Sequence, residues 1–140
     1  MSDKRGRCLC GKVSFSAKGV VSHHHACHCD TCRRWAGGPG FSAAVEEVSW
    51  QGEENIARYS SSEWGERGFC SECGTRLFFR YKPDDSYYIS VGAFDDDSDF
   101  QLVGEIYIDK QPPGYRFSEG LERMTGDDFM ARYGIGADKG

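Results

Sequence analysis

Residues 27–32 read Cys27-His28-Cys29-Asp30-Thr31-Cys32, three cysteines within one short stretch. Upstream stands Cys8-Leu9-Cys10-Gly11 and downstream Cys70-Ser71-Glu72-Cys73-Gly74, and these groups hold all 7 cysteines of the chain. A Cys-x-x-Cys turn followed by glycine directs two sulfurs at one cation, and its backbone N–H groups donate to the thiolates. A structural zinc takes four ligands and a short pair fills half of it. Two pairs distant in sequence therefore complete one site and pin two parts of the fold together. Seven sulfurs divide into four and three. The middle group supplies three from one stretch, so the economical partition gives a closed site of Cys8, Cys10, Cys70 and Cys73. Cys27, Cys29 and Cys32 then form an open site, the layout of a catalytic or substrate-binding metal. The expectation is two Zn2+ ions, one structural and one catalytic or substrate-binding.

Other uses of cysteine fit less well. Disulfides need an oxidising compartment, and an odd number leaves one thiol over. A redox Cys-x-x-Cys uses one pair and leaves five cysteines without a role. No four-cysteine run has a ferredoxin spacing. Three thiolates on a dication leave a formal charge of −1, which activates water less than neutral histidine ligands do. A soft, electron-rich metal instead accepts a further sulfur. The open site points toward a thiol substrate or thiol adduct rather than hydrolysis.

The rest of the chain is ordinary for a folded protein, with 39% hydrophobic and 14% aromatic residues. Its 18 glycines predict frequent turns and short strands. At 140 residues it has the size of one domain, and residues 1–140 are read as a single zinc-binding domain. A net charge of −5 without a Lys/Arg block argues against nucleic acid or an anionic membrane as partner. The opening Met-Ser-Asp-Lys-Arg-Gly-Arg has no apolar core of a leader, and no later run reaches membrane-spanning length. A cytoplasmic location follows as an expectation, with the thiols reduced.

Val13, Phe15 and Ala17 alternate with polar neighbours, a strand with one wet face. Leu77 to Tyr81 and Tyr87 to Val91 flank the turn signal Pro83-Asp84-Asp85 and predict a hairpin. Glu105 to Asp109 reads as a strand stopped by Pro112-Pro113. Thr125 caps a helix carrying Phe129, Met130 and Tyr133 and ended by Gly134, and a short helical turn is expected from about Asp30 to Trp35. The expected fold is mainly β: short antiparallel strands with knuckle loops, closed by a C-terminal helix.

His28 lies between two proposed ligands, so on an extended segment it points away from the metal. It serves either as an acid/base or supporting donor, or as a plain surface histidine. His23-His24-His25 either adds a fourth ligand to the second site or is a polar loop. Arg33 and Arg34 either clamp substrate carboxylates or offset the thiolate charge. Gly37-Gly38-Pro39-Gly40 is expected to border the pocket. Asp95-Asp96-Asp97 with Asp99 lacks the EF-hand pattern and reads as a solvated turn.

The ordered set Cys8-x-Cys10-Gly11, Cys27-His28-Cys29-x-x-Cys32-Arg33 and Phe69-Cys70-x-x-Cys73-Gly74-Thr75 resembles the glutathione-dependent formaldehyde-activating enzyme family, which includes centromere protein V-like proteins. Ile89-Ser90-Val91-Gly92-Ala93-Phe94-Asp95 is similar to that family's segment after the second knuckle, and the likeness covers roughly residues 5 to 110. It implies a Mss4-like fold with two zinc ions, partitioned as ligand counting partitions them. It implies a carbon–sulfur lyase that adds glutathione to formaldehyde to give S-hydroxymethylglutathione, with His28 or water moving the proton. The family often carries a histidine early in the late strand and a tryptophan after the following proline-rich stretch. Here Glu105 to Asp109 has no histidine, and Tyr115 stands near the tryptophan's place. The competing readings are a non-enzymatic zinc module for a protein partner and a thiol or zinc stress sensor. An enzyme needs the fourth position open, a structural module closes it, and a sensor releases metal on oxidation.

Overall fold

The alternation at residues 13–17 seeds the core. Val13, Phe15, Ala17 and Val20 are all buried to within 1% of full coverage, while the intervening residues of the strand are exposed or half-buried. This strand, β2 (Ser14–Val20), lies between β1 (Ser2–Arg7) and β5 (Glu47–Gln51) in a three-stranded antiparallel sheet. The Phe15 ring packs on Trp50 at 5.2 Å and edge-on to Phe94 at 5.3 Å. Burying such a ring contributes about 1.5–3 kcal/mol. The structure, a computed structural model, describes residues 2–134.

The second sheet has eight strands. They are β3 (His23–Cys27), β4 (Gly40–Val45), β6 (Ile56–Ser60), β7 (Gly65–Cys70), β8 (Arg76–Tyr81), β9 (Ser86–Ser90), β10 (Gln101–Ile106) and β11 (Glu122–Met124). Their order is β11-β10-β3-β4-β9-β8-β7-β6. The expected hairpin is β8–β9, closed by Tyr81 opposite Ser86. Leu77, Phe78 and Ile89 from it join Phe15 and Phe94 in one core between the sheets.

Two helices complete the chain, α1 (Asp30–Ala36) and α2 (Gly126–Tyr133). The Thr125 hydroxyl accepts from the Asp128 N–H at 3.1 Å, and Gly134 ends α2 in the left-handed region. The mainly β fold and its C-terminal helix are as expected. No helix among the described residues is long and apolar enough to cross a membrane.

Three expectations need correction. The sheet is mixed rather than antiparallel throughout, because β10 pairs in parallel with both β3 and β11. The strand expected at 105–109 runs Gln101–Ile106 instead. It stops before the prolines because Tyr107 turns left-handed, with φ 56°, and opens a 3-10 turn at Ile108–Lys110. His23-His24-His25 is not a loop but β3 itself, with His24 buried against Phe41 and Phe100.

Candidate metal centre and its adjoining cleft

The first cluster sits where the two sheets meet. β1 leads into Cys8, and the knuckle closes through Gly11, whose N–H reaches the Cys8 carbonyl at 3.2 Å. β7 leads into Cys70, and Gly74 donates to the Cys70 carbonyl at 2.8 Å. Both glycines adopt φ near 80°, a conformation that L side chains rarely tolerate. The Thr75 hydroxyl accepts from the Leu9 N–H at 2.9 Å and touches the Cys73 sulfur at 3.2 Å, joining the two knuckles.

Backbone N–H groups already point at the sulfurs: Val13 at Cys8, Cys10 at Cys73 and Glu72 at Cys70, over 3.3 to 3.4 Å. The Thr75 hydroxyl, with the Cys10 and Thr75 N–H groups, holds the Cys73 thiol down at about 5. All four sulfurs lie within 4.8 Å of one another. Cys8 to Cys10 is 3.6 Å and Cys10 to Cys70 is 3.8 Å. A tetrahedral zinc with Zn–S bonds of about 2.3 Å requires sulfur–sulfur edges of about 3.8 Å. The donor set and its spacing fit that ion.

The second cluster is Cys27, Cys29 and Cys32, whose sulfurs also lie within 4.8 Å of one another. Cys27 ends β3. Cys29 is the N-cap of α1, its sulfur accepting from the Cys32 N–H at 3.3 Å. Gly40 passes so close that a Cβ there would stand 3.4 Å from the Cys32 sulfur. Hydrogen bonds from Cys27 and Cys29, together with the Arg67 guanidinium, hold the Cys32 thiol well below its ordinary value. Burial, and next the negative sulfurs of Cys29, Cys27 and Cys32, push the Tyr107 hydroxyl up to about 12, as expected for a phenol flanking this cluster. No histidine of the 23–25 run is grouped with the three sulfurs among the described residues.

His28 is completely buried, which removes the surface reading. Parallel pairing sets Ile106 opposite Cys27, and the His28 N–H donates to the Ile106 carbonyl at 3.1 Å. The Glu105 carboxylate, itself 1% exposed, then reaches His28 Nε2 at 2.7 Å. Its other oxygen accepts from Arg123 Nε at 2.7 Å, because β11 lays Arg123 opposite Glu105. A carboxylate can only accept, so Nε2 carries the proton and Nδ1 is left to accept from the Tyr115 hydroxyl at 3.1 Å.

Tyr115 opens onto a cleft of about 520 Å³ lined by Asp30, Arg33, Arg34, Gly37, Gly38 and Pro112. The glycine stretch borders it, as the sequence suggests. Arg33 is anchored: Nε donates to the His28 carbonyl at 2.9 Å and the guanidinium pairs with Asp30. An α-helix turns about 100° per residue. Arg33, Arg34 and Gly37 therefore share the cleft face of α1, while Cys32 looks back toward Gly40 and Arg67. The acidic run forms a bend, with Ser98 bonded to Asp96 and Lys4 paired with Asp99 at 2.8 Å.

The structure thus gathers the seven cysteines into the two groups predicted and places His28 and Arg33 beside the second. Sequence reading passes over Glu105, Arg67, Tyr107 and Arg123. The three charged residues give faint signals, since a glutamate or arginine within a strand usually faces water.

The description "glutathione-dependent formaldehyde-activating enzyme" matches residues 3–110 of the chain. An uncharacterized lyase of Schizosaccharomyces pombe is 31% identical over 132 residues, covering 93% of this chain and 96% of its own length. Proteins of Halomonas elongata and Aspergillus flavus that carry the family's description are each 35% identical, over 86 and 88 residues. These matches cover 52% and 55% of the chain, and 53% and 44% of the two relatives. The crystal structure of a Rhodobacter sphaeroides protein superposes with a TM-score of 0.54 at 20% identity, covering 86% of this chain and 99% of that one. That likeness speaks for the fold.

Proposed function

The chain belongs to the glutathione-dependent formaldehyde-activating enzyme family, and from that premise we propose that it is a zinc-dependent carbon–sulfur lyase joining a thiol such as glutathione to a small aldehyde such as formaldehyde. The observation that carries the reading is the three-sulfur cluster at the start of α1, one ligand short of a closed site, with His28 between two of its cysteines joining the buried Glu105 to the cleft-lining Tyr115. In this reading Cys8, Cys10, Cys70 and Cys73 hold a structural zinc, and Cys27, Cys29 and Cys32 hold the working one. A zinc ion there supplies Lewis acidity and affinity for sulfur.

The protein's own groups do the rest. The Tyr115 hydroxyl, facing the cleft, takes up the thiol proton while passing its own to His28, and returns it to the aldehyde oxygen as the carbon–sulfur bond forms. Glu105 fixes the imidazole tautomer and Arg123 holds Glu105. Arg33 ties the first turn of α1 to the His28 carbonyl. Arg34, on the same face, offers a guanidinium to a substrate carboxylate.

The test is zinc per chain, followed by the rate of exchange between formaldehyde and its glutathione adduct by NMR, compared with the rate without protein. Two zincs and an accelerated exchange are expected. Cys29→Ser should keep the fold, retain one zinc and lose the acceleration. Tyr115→Phe should keep both zincs and lose about 10²-fold or more in rate, the usual size of an acid–base contribution. Two bound zincs with exchange no faster than in buffer would overturn the reading.

A further inference from the structure

Arg67 lies against the second cluster, and the proposed chemistry leaves it unused. It lies on β7 and only 5% of it is exposed. Its guanidinium sits over the Phe79 ring at 5.1 Å and the Trp35 ring at 5.9 Å, Trp35 coming from α1. Nε donates to the Ser61 hydroxyl at 3.2 Å, and Nη2 points at the Cys32 sulfur at 3.8 Å. Among the described residues no carboxylate pairs with it.

A buried charge without a partner is strongly disfavoured, and arginine does not lose its proton in a protein. The aromatic faces offset part of the cost. The remaining negative charge must come from the sulfurs. Three thiolates around a dication carry a formal charge of −1, equal and opposite to one guanidinium. An arginine placed here also withdraws electron density from the cluster, countering the loss of Lewis acidity that three thiolates impose.

We propose that Arg67 is the buried counter-charge of the Cys27, Cys29 and Cys32 site, and that it sets which fourth ligand the site accepts, favouring an anionic thiolate over a neutral donor. With Arg67 present, adding a thiolate takes the metal and arginine together from 0 to −1. Without it the same step takes the metal alone from −1 to −2, with no other Lys or Arg buried among the described residues. A neutral donor changes neither sum. Arg67 is thus a positioning residue that favours the bound sulfur as thiolate once its proton has passed to Tyr115, and the inference rests on reading these three cysteines as a metal site.

The test uses the full chain loaded with Co2+, whose sulfur-to-metal charge-transfer bands report thiolate ligands and whose d–d bands report a nitrogen donor. Arg67→Lys keeps the charge, and Arg67→Gln keeps donors without it. Metal affinity of the second site, by chelator competition, should fall about 10- to 100-fold in the Gln variant, the usual effect of removing a supporting partner. The first site is the internal control and should hold its affinity. The decisive readout is the ratio of affinities for a small anionic thiolate and for neutral imidazole. That ratio should drop at least tenfold in Arg67→Gln and stay near the wild-type value in Arg67→Lys. A variant merely loosened in packing would lose both ligands alike, leaving the ratio unchanged and overturning the inference. If the wild-type chain takes up only one metal, and Cys29→Ser does not alter this, it is the metal-site reading itself that has failed.

Discussion

Replacing Glu105 tests the acid–imidazole–phenol chain directly. Glu105→Leu keeps much of the side-chain volume but leaves two donors facing it, His28 Nε2–H and Arg123 Nε–H. His28 is completely buried, so its orphaned donor costs about 1–3 kcal/mol. The Arg123 side chain is 32% exposed, so water recovers most of its loss and under about 1 kcal/mol remains. The total is about 3 kcal/mol. For a chain of 140 residues the unfolding entropy is about 0.3 kcal/mol/K, which makes this a fall of about 10 °C in Tm. Glu105→Gln offers an escape. The imidazole can shift its proton to Nδ1, accept from the new amide and donate to Tyr115, so the loss should be about 1 kcal/mol. Differential scanning calorimetry on the metal-loaded variants measures both values, and 15N NMR of the imidazole reports the tautomer. A Leu variant no less stable than the Gln variant, or an unchanged tautomer in Glu105→Gln, would refute the arrangement.

Two further perturbations address other parts of the fold. Cys70→Ser removes a fully buried sulfur that joins the two sheets through the first cluster, so the variant should bind one metal fewer and lose its cooperative unfolding transition, as seen by circular dichroism. A strong chelator should do the same to the wild-type chain. Glu66 is pushed up by burial but held lower overall by Arg80 and Arg58, each 2.9 Å away. Its carboxyl is thus depressed in the folded protein, so the stabilisation it gives is complete above the ordinary value of 4.5 and is lost as pH falls through the depressed one. Glu66→Gln should be less stable than wild type at pH 7, with the difference shrinking below about pH 4 in urea titrations.

The spacing of the cysteines, with glycine after the first and last groups, was enough to divide seven sulfurs into a group of four and a group of three. Ligand number and turn geometry are local properties. So are the alternation that buries Phe15, the β8–β9 hairpin and the capped C-terminal helix. What no local pattern carries is the pairing of distant strands. Nothing within Gln101–Ile106 announces that it runs parallel to β3 and β11, yet that register brings Glu105 to His28 and Arg123 to Glu105. The early end of β10 at Tyr107 is equally hidden, since a left-handed tyrosine is held by its surroundings and not by its neighbours in sequence. Arg67 reaches Cys32 only because α1 lays Trp35 beside β7. The chain alone fixed which residues could bind metal, because a ligand is defined by its own chemistry. Tertiary structure decided which buried charges face those ligands, because a charge's effect depends on what packs around it.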